Sequence, residues 1–130
     1  MRSTLRENIV LGIDYGETHI GFAIKSQGTI LAVPHSIYNR EKGDRDALVS
    51  KVKELIAELE VDLVVVGLPL TMEGKPDKMA DKVALFIHDL RKETDCRIDQ
   101  EDERLTSRAV AKHAHDAAAA LILQSYIERN

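Results

Sequence analysis

Val61 to Leu68 is a near-continuous apolar run, Val-Asp-Leu-Val-Val-Val-Gly-Leu, closed by Pro69. A segment apolar at almost every successive position has no face to offer water, so it reads as a central parallel strand covered on both sides. Just upstream, between Gly43 and Glu60, Leu48, Val52, Leu55, Ile56 and Leu59 share one helical face, with acids and lysines opposite. An amphipathic helix feeding a doubly covered strand is the second half of a β-α-β crossover, which commits the chain to α/β architecture.

The earlier strand of that crossover is found at Asn8 to Asp14. There Ile9, Leu11 and Ile13 alternate with Val10, Gly12 and Asp14, again apolar on both faces until the aspartate ends it. After the turn Tyr15-Gly16-Glu17-Thr18, Ile20, Phe22 and Ile24 alternate in a second strand that forms a hairpin with the first. A third strand is expected from Thr29 to Ile37; Pro34 lacks the N–H of a two-sided ladder and puts that strand at the sheet edge. Beyond the polar loop Thr71 to Pro76, Met79, Val83, Phe86, Ile87 and Leu90 mark another amphipathic helix, and Cys96 to Asp102 a fifth, polar strand. A short helix near Thr106 to Lys112 precedes a strongly apolar one from Asp116 to Glu128, whose alanines permit close packing on a sheet. Three hairpin-connected strands and two crossover strands make a mixed sheet. With 130 residues, 44% of them apolar, one domain accounts for the whole chain.

The formal net charge of -4 argues against a protein that coats nucleic acid through bulk positive charge, which needs a Lys/Arg excess to displace counterions. It does not argue against a metal site, because a bound cation locally reverses the field of its carboxylates. The lone Cys96 cannot form an internal disulfide and reads as a small buried hydrophobe in a reducing compartment. The opening MRSTLREN lacks the apolar core of a secretion signal and is expected to run straight into the first strand. The longest apolar run falls far short of the roughly 20 residues of a membrane helix. A cytoplasmic protein without membrane attachment is the expectation.

Three acids stand where strands or helices terminate: Asp14, Glu103 and Asp116. Side chains at such ends can share a crevice. Carboxylates converging there would hold Mg²⁺ or Mn²⁺, hard cations that prefer oxygen, and two such ions roughly 4 Å apart serve in-line phosphodiester hydrolysis. Each acid also has a plainer reading. Asp14 would be a turn residue, Glu103 a solvated charge in the acidic stretch from Asp99, and Asp116 the N-cap of the last helix. Against the first stands the cost of desolvating an aspartate on a strand apolar on both faces. His113 and His115, two apart at a helix boundary, point away from each other and are expected at the surface.

Four ordered blocks, GIDYGETHIGFAI (Gly12 to Ile24), VVVGLPLTMEG (Val64 to Gly74), DERLTS (Asp102 to Ser107) and HDAAAALILQSYIE (His115 to Glu128), closely resemble the YqgF (RuvX) family over nearly the whole chain. The resemblance implies an RNase H-like fold with a five-stranded mixed sheet in the order 3-2-1-4-5, flanked by helices. It also implies a nuclease linked to maturation of the 5′ end of 16S rRNA from its precursor, and historically to resolution of Holliday junctions. Transferred residue by residue, Asp14, Glu103 and Asp116 match the metal-binding acids. Gly67, Pro69 and Gly74 match the family's signature after the fourth strand, a loop beside the active site that is expected to contact the nucleic-acid backbone. Gly16 and Thr18 in the turn after Asp14, and Arg104 beside Glu103, which would pair with a phosphate or a neighbouring carboxylate, are further candidate substrate contacts. A structural ion pair is the plainer reading of Arg104. The partner so implied is structured RNA such as pre-16S rRNA, with branched DNA as the alternative, acted on by a monomer or a homodimer. The chain departs from the family pattern in the short Arg108 to Ala114 interval, where members usually carry a longer basic segment, and in Lys25-Ser26, where a Ser-Asp pair is common.

Two other classes compete. The Asp14 to Thr18 turn also resembles the phosphate-binding turn of actin-like ATPases and sugar kinases, but those close two such lobes over a nucleotide and this chain has the length of one. A binding module of the same fold that grips RNA without cutting it is the other, motivated by the short basic segment.

Overall fold

The computed structural model describes residues 2–41, 44–69, 78–102 and 115–130. Its first strand, β1 (Val10–Asp14), lies at the centre of a five-stranded mixed sheet. It pairs antiparallel with β2 (His19–Lys25) on one side and parallel with β4 (Leu63–Leu68) on the other. β2 pairs antiparallel with β3 (Val33–Asn39), and β4 parallel with β5 (Arg97–Asp102). The order is β3-β2-β1-β4-β5, the order 3-2-1-4-5 expected of this sequence.

The two doubly apolar strands are central because both of their faces are covered. Leu11, Ile13, Ile20, Phe22, Val64 and Val66 pack with Leu48 and Val52 of α2 (Arg45–Leu59) and with Val83, Phe86 and Leu90 of α3 (Ala80–Glu93). On the other face Val10, Ala23, Leu63 and Val65 pack with Ala119, Ile122 and Leu123 of α4 (His115–Arg129). Strand side chains alternate, so Asp14 shares the α4 face with Val10 and Gly12. α2 begins where the Asp44 carboxylate accepts the Ala47 N–H at 3.0 Å. It ends at Glu60, which adopts the left-handed conformation at φ 56°.

Several expectations need correction. The charged opening does not run straight into β1: it forms a short helix, α1 (Arg2–Glu7), which buries Leu5 in the α4-side core. Its C-terminal end is secured tertiarily, with the Arg6 carbonyl accepting the Gly28 N–H at 2.8 Å. β3 starts four residues later than Thr29 and runs on to Asn39, because residues 29–32 are engaged elsewhere. The Thr29 carbonyl accepts from Lys25, while Gln124 accepts the Ala32 N–H at 2.8 Å and donates to the Ile30 carbonyl at 3.1 Å. Pro34 does lie in an edge strand, opposite Ala23 and next to a register shift. The helix expected at Thr106 to Lys112 falls outside the described residues.

Lys25, noted in the sequence only as a departure from the family pattern, is fully buried. Its ammonium donates to the carbonyls of Arg6 (3.1 Å), Ser26 (3.0 Å) and Thr29 (2.9 Å), which uses all three of its donors. Burial, with the nearby Arg6 charge, holds its pKa below the usual lysine range. Cys96 packs partly buried against the α2/α3-side core with its Sγ 3.6 Å from the Val61 carbonyl; burial pushes the thiol pKa up, as suits an inert residue. Among the described residues no helix is long and apolar enough to cross a membrane.

Candidate active site

Asp14 is the last residue of β1 and stands opposite Gly21 of β2. Gly21 is where the sheet receives α4: a Cβ there would lie 2.0 Å from the His115 carbonyl oxygen and 2.8 Å from the Asp116 nitrogen. The need for glycine is therefore steric. Only a residue without a side chain lets the first turn of α4 rest on the strand. The same holds lower on the helix, where a Cβ on Gly12 would lie 2.8 Å from Leu123 Cβ and 3.1 Å from the Ala119 carbonyl oxygen. Two glycines on adjacent strands and an alanine-rich helix face thus bring α4 against the backbone of the sheet. The consequence is chemical: Asp116, in the first turn of α4, comes to the end of β1 where Asp14 projects on the same face.

Asp116 lies inside the helix start rather than ahead of it, and its Oδ1 accepts the Ala117 N–H at 2.9 Å. His115 departs from the surface position expected of it. Its Nδ1 lies 3.7 Å from Asp14 Oδ2, and its ring meets that of His19 edge to face at 5.5 Å. The Asp14 side chain is 16% exposed and that of His115 28%, so both are partly buried. No local signal betrayed this, because the contact exists only once α4 has seated on Gly21. His113 lies outside the described residues.

The remaining candidates divide. Glu103, Arg104 and Gly74 lie outside the described residues. Gly16 sits in a turn so tight that a Cβ would lie 2.2 Å from the His19 carbonyl oxygen, and Thr18 is exposed at its far side. Gly67, in register with Glu101 of β5, and Pro69, just past β4, are both buried. Among the described residues no three His, Cys, Asp or Glu side chains form a group that could hold a metal ion. Two of the three expected acids are partly buried, Asp14 at the end of β1 and Asp116 in the first turn of α4 seated on Gly21. Their donor chemistry, hard oxygen, fits Mg²⁺ or Mn²⁺.

Other acids on this side are already engaged. Glu101 is buried and accepts from Ser125 Oγ at 2.7 Å and from Arg129, and Asp99 accepts from the Tyr126 hydroxyl and from Arg97 at 2.9 Å. They tie β5 to α4. Burial, and then the bond to Asp99, pushes the Tyr126 pKa up to about 12. Sequence reasoning also missed Arg40, whose guanidinium reaches across to the turn after Asp14.

A family model described as "RuvX: Holliday junction resolvase" matches residues 8–129. A protein of Natranaerobius thermophilus named "Putative pre-16S rRNA nuclease" is 33% identical over 134 residues, covering 92% of this chain and 94% of its own length. One of the same name from Shewanella oneidensis is 34% identical, covering 93% and 94%. Among solved structures, Thermus thermophilus RuvC in complex with a Holliday junction substrate superposes with a TM-score of 0.66, covering 94% of each chain. At 16% identity that likeness is one of fold, and the fold is RNase H-like. The family match runs from the residues before β1 to the end of α4 and so takes in every strand of the sheet; the chain belongs to the RuvX family.

Proposed function

We propose that the protein is a divalent-metal-dependent nuclease, a single RNase H-like domain that cleaves phosphodiester bonds in the 5′-end processing of pre-16S rRNA in the cytoplasm. One observation carries the reading. The seating of α4 on Gly21 brings Asp116 to the β1 end that carries Asp14, two acids more than a hundred residues apart in a family whose relatives are named nucleases.

Asp14 and Asp116, with Glu103 as third acid, would hold Mg²⁺ or Mn²⁺. A divalent cation held there supplies a water nucleophile near neutral pH and neutralises charge at the leaving oxygen. The chain's own part is to fix the carboxylates before substrate arrives: the strand end holds Asp14, and the first helical turn holds Asp116. Partial burial lowers the effective dielectric around both and would strengthen their attraction for a cation. Gly16, Thr18, Gly67, Pro69, Gly74 and Arg104 are the residues that would contact the nucleic-acid backbone, Arg104 by pairing with a phosphate. The family description favours a second substrate, the four-way DNA junction. A junction requires two sites facing opposite strands and hence a homodimer, whereas trimming one rRNA end requires only a monomer.

The experiment is a parallel assay of a precursor 16S rRNA fragment and a four-way junction with purified protein in Mn²⁺, together with its solution mass. Cleavage of the precursor, its loss on chelation with EDTA, and its loss in Asp14→Asn and Asp116→Asn are expected. Asp14→Asn should melt at or above the wild-type temperature, since one of two neighbouring carboxylates loses its charge. Binding of either substrate without cleavage would replace the nuclease reading with that of an RNA-binding module. Collapse of the fold in Asp14→Asn would make Asp14 structural.

A further inference from the structure

The parallel pairing of β1 with β4 ends at Ile13 opposite Val66, one residue before Asp14. Asp14 itself stands opposite Gly21 of β2, and beyond it the chain enters the turn of residues 15–18. Arg40, just past the end of β3, holds that turn at three points. Its backbone N–H donates to the Thr18 carbonyl at 2.9 Å, and its Nη2 donates to the Gly16 carbonyl at 3.2 Å and to the Tyr15 hydroxyl at 2.8 Å. The guanidinium carbon lies 5.1 Å from the centre of the Tyr15 ring, which itself packs against Phe86 of the core at 5.4 Å. Nη1 donates to the Asp44 carbonyl at 2.7 Å, where α2 begins. All of these side-chain acceptors are neutral oxygens, and the Arg40 Nε is buried with no partner among the described residues. The planar guanidinium fork bridges acceptors on the turn and at the start of α2 at fixed spacing, which a lysine cannot reproduce.

The geometry points to Arg40 as a positioning residue of the active site: by clamping the Tyr15–Thr18 turn it sets the end of β1 and, through it, the Asp14 carboxylate. This rests on the nuclease reading for its consequence but not for its geometry, and the two are tested separately. Arg40→Lys and Arg40→Gln are compared with wild type by millisecond hydrogen exchange and by cleavage kinetics in Mn²⁺, well below the melting temperature of each. Exchange in residues 15–18 should quicken in both variants while β5 and α3 keep their protection. The kcat should fall about tenfold to a hundredfold, with KM changing less than about threefold, because a displaced reacting group slows chemistry more than binding. A purely structural residue would lower the melting temperature and leave kcat intact below it.

Unchanged exchange in the turn overturns the proposal, as does unchanged kcat when exchange responds. Recovery of kcat by Arg40→Lys but not by Arg40→Gln overturns it too, since charge alone would then suffice. If wild type cuts neither substrate while the turn still loosens in both variants, the nuclease reading fails and the clamp stands.

Discussion

Alanine at position 21 would put a methyl carbon 2.0 Å from the His115 carbonyl oxygen, 2.3 Å from its carbonyl carbon and 2.8 Å from the Asp116 nitrogen. All three are backbone atoms, so no side chain can rotate away. Ordinary contact begins near 3.4 Å, and the first turn of α4 must retreat from β2 by roughly 1.4 Å. Overpacking of this kind costs about 1–3 kcal/mol of stability. The functional cost is of similar size. Asp116 rides on the displaced turn, and in the metal-holding role proposed for it a misplacement of about 1 Å would cost on the order of a hundredfold in rate, about 2.7 kcal/mol of barrier.

Gly12→Ala is the matched control. It presses less hard, on Leu123 at 2.8 Å and Ala119 at 3.1 Å, farther along the helix from Asp116, so it should cost less stability and much less rate. Single-turnover cleavage of the precursor fragment at saturating enzyme, at a temperature where both variants remain folded, reads the difference directly. If Gly21→Ala cleaves as fast as wild type, or if Gly12→Ala is equally slow, the seating of α4 on Gly21 does not set the distance between the acids, and the site as described is wrong.

Three further outcomes concern stability. With the Tyr126 pKa pushed up to about 12 against an ordinary 10.0, the folded protein retains a proton the unfolded chain has lost between those values. Its contribution is complete below pH 10 and disappears as pH rises through 12, a loss that urea titrations at stepped pH should detect and that Tyr126→Phe should flatten. Lys25→Ala removes three charge-assisted hydrogen bonds and a packed stem, and should lower the urea-derived stability by about 3 kcal/mol; a loss under about 1 kcal/mol would mean that the ammonium is not seated on those carbonyls. Leu5→Ala tests whether α1 belongs to the fold: burial in the α4-side core predicts a loss of about 2 kcal/mol, against near zero for a frayed segment.

Much of this protein was written in local periodicity. The doubly apolar pattern of residues 8–14 and 61–68 determined two central strands, because burial on both faces leaves no other arrangement for such runs. The single-faced spacing of Leu48, Val52 and Leu55, and of Val83, Phe86 and Leu90, determined two covering helices; Pro34 determined an edge. The position of Asp14 at the end of a buried strand already marked it as costly and hence purposeful. What the sequence could not determine were features made by approach between distant segments. Gly21 looked like one small residue in an alternating strand, and its meaning appeared only when a helix more than ninety residues later came to rest on it. His115 was brought to Asp14 by that same contact, Lys25 was buried by a helix turn and a loop that supply its three carbonyls, and Arg40 reached back to Gly16 only because β3 ends beside the turn after β1. Periodicity reports which face of an element meets the core. How closely two backbones meet, and which polar groups are thereby brought within reach, depends on packing over the whole chain, and that was decided by tertiary structure alone.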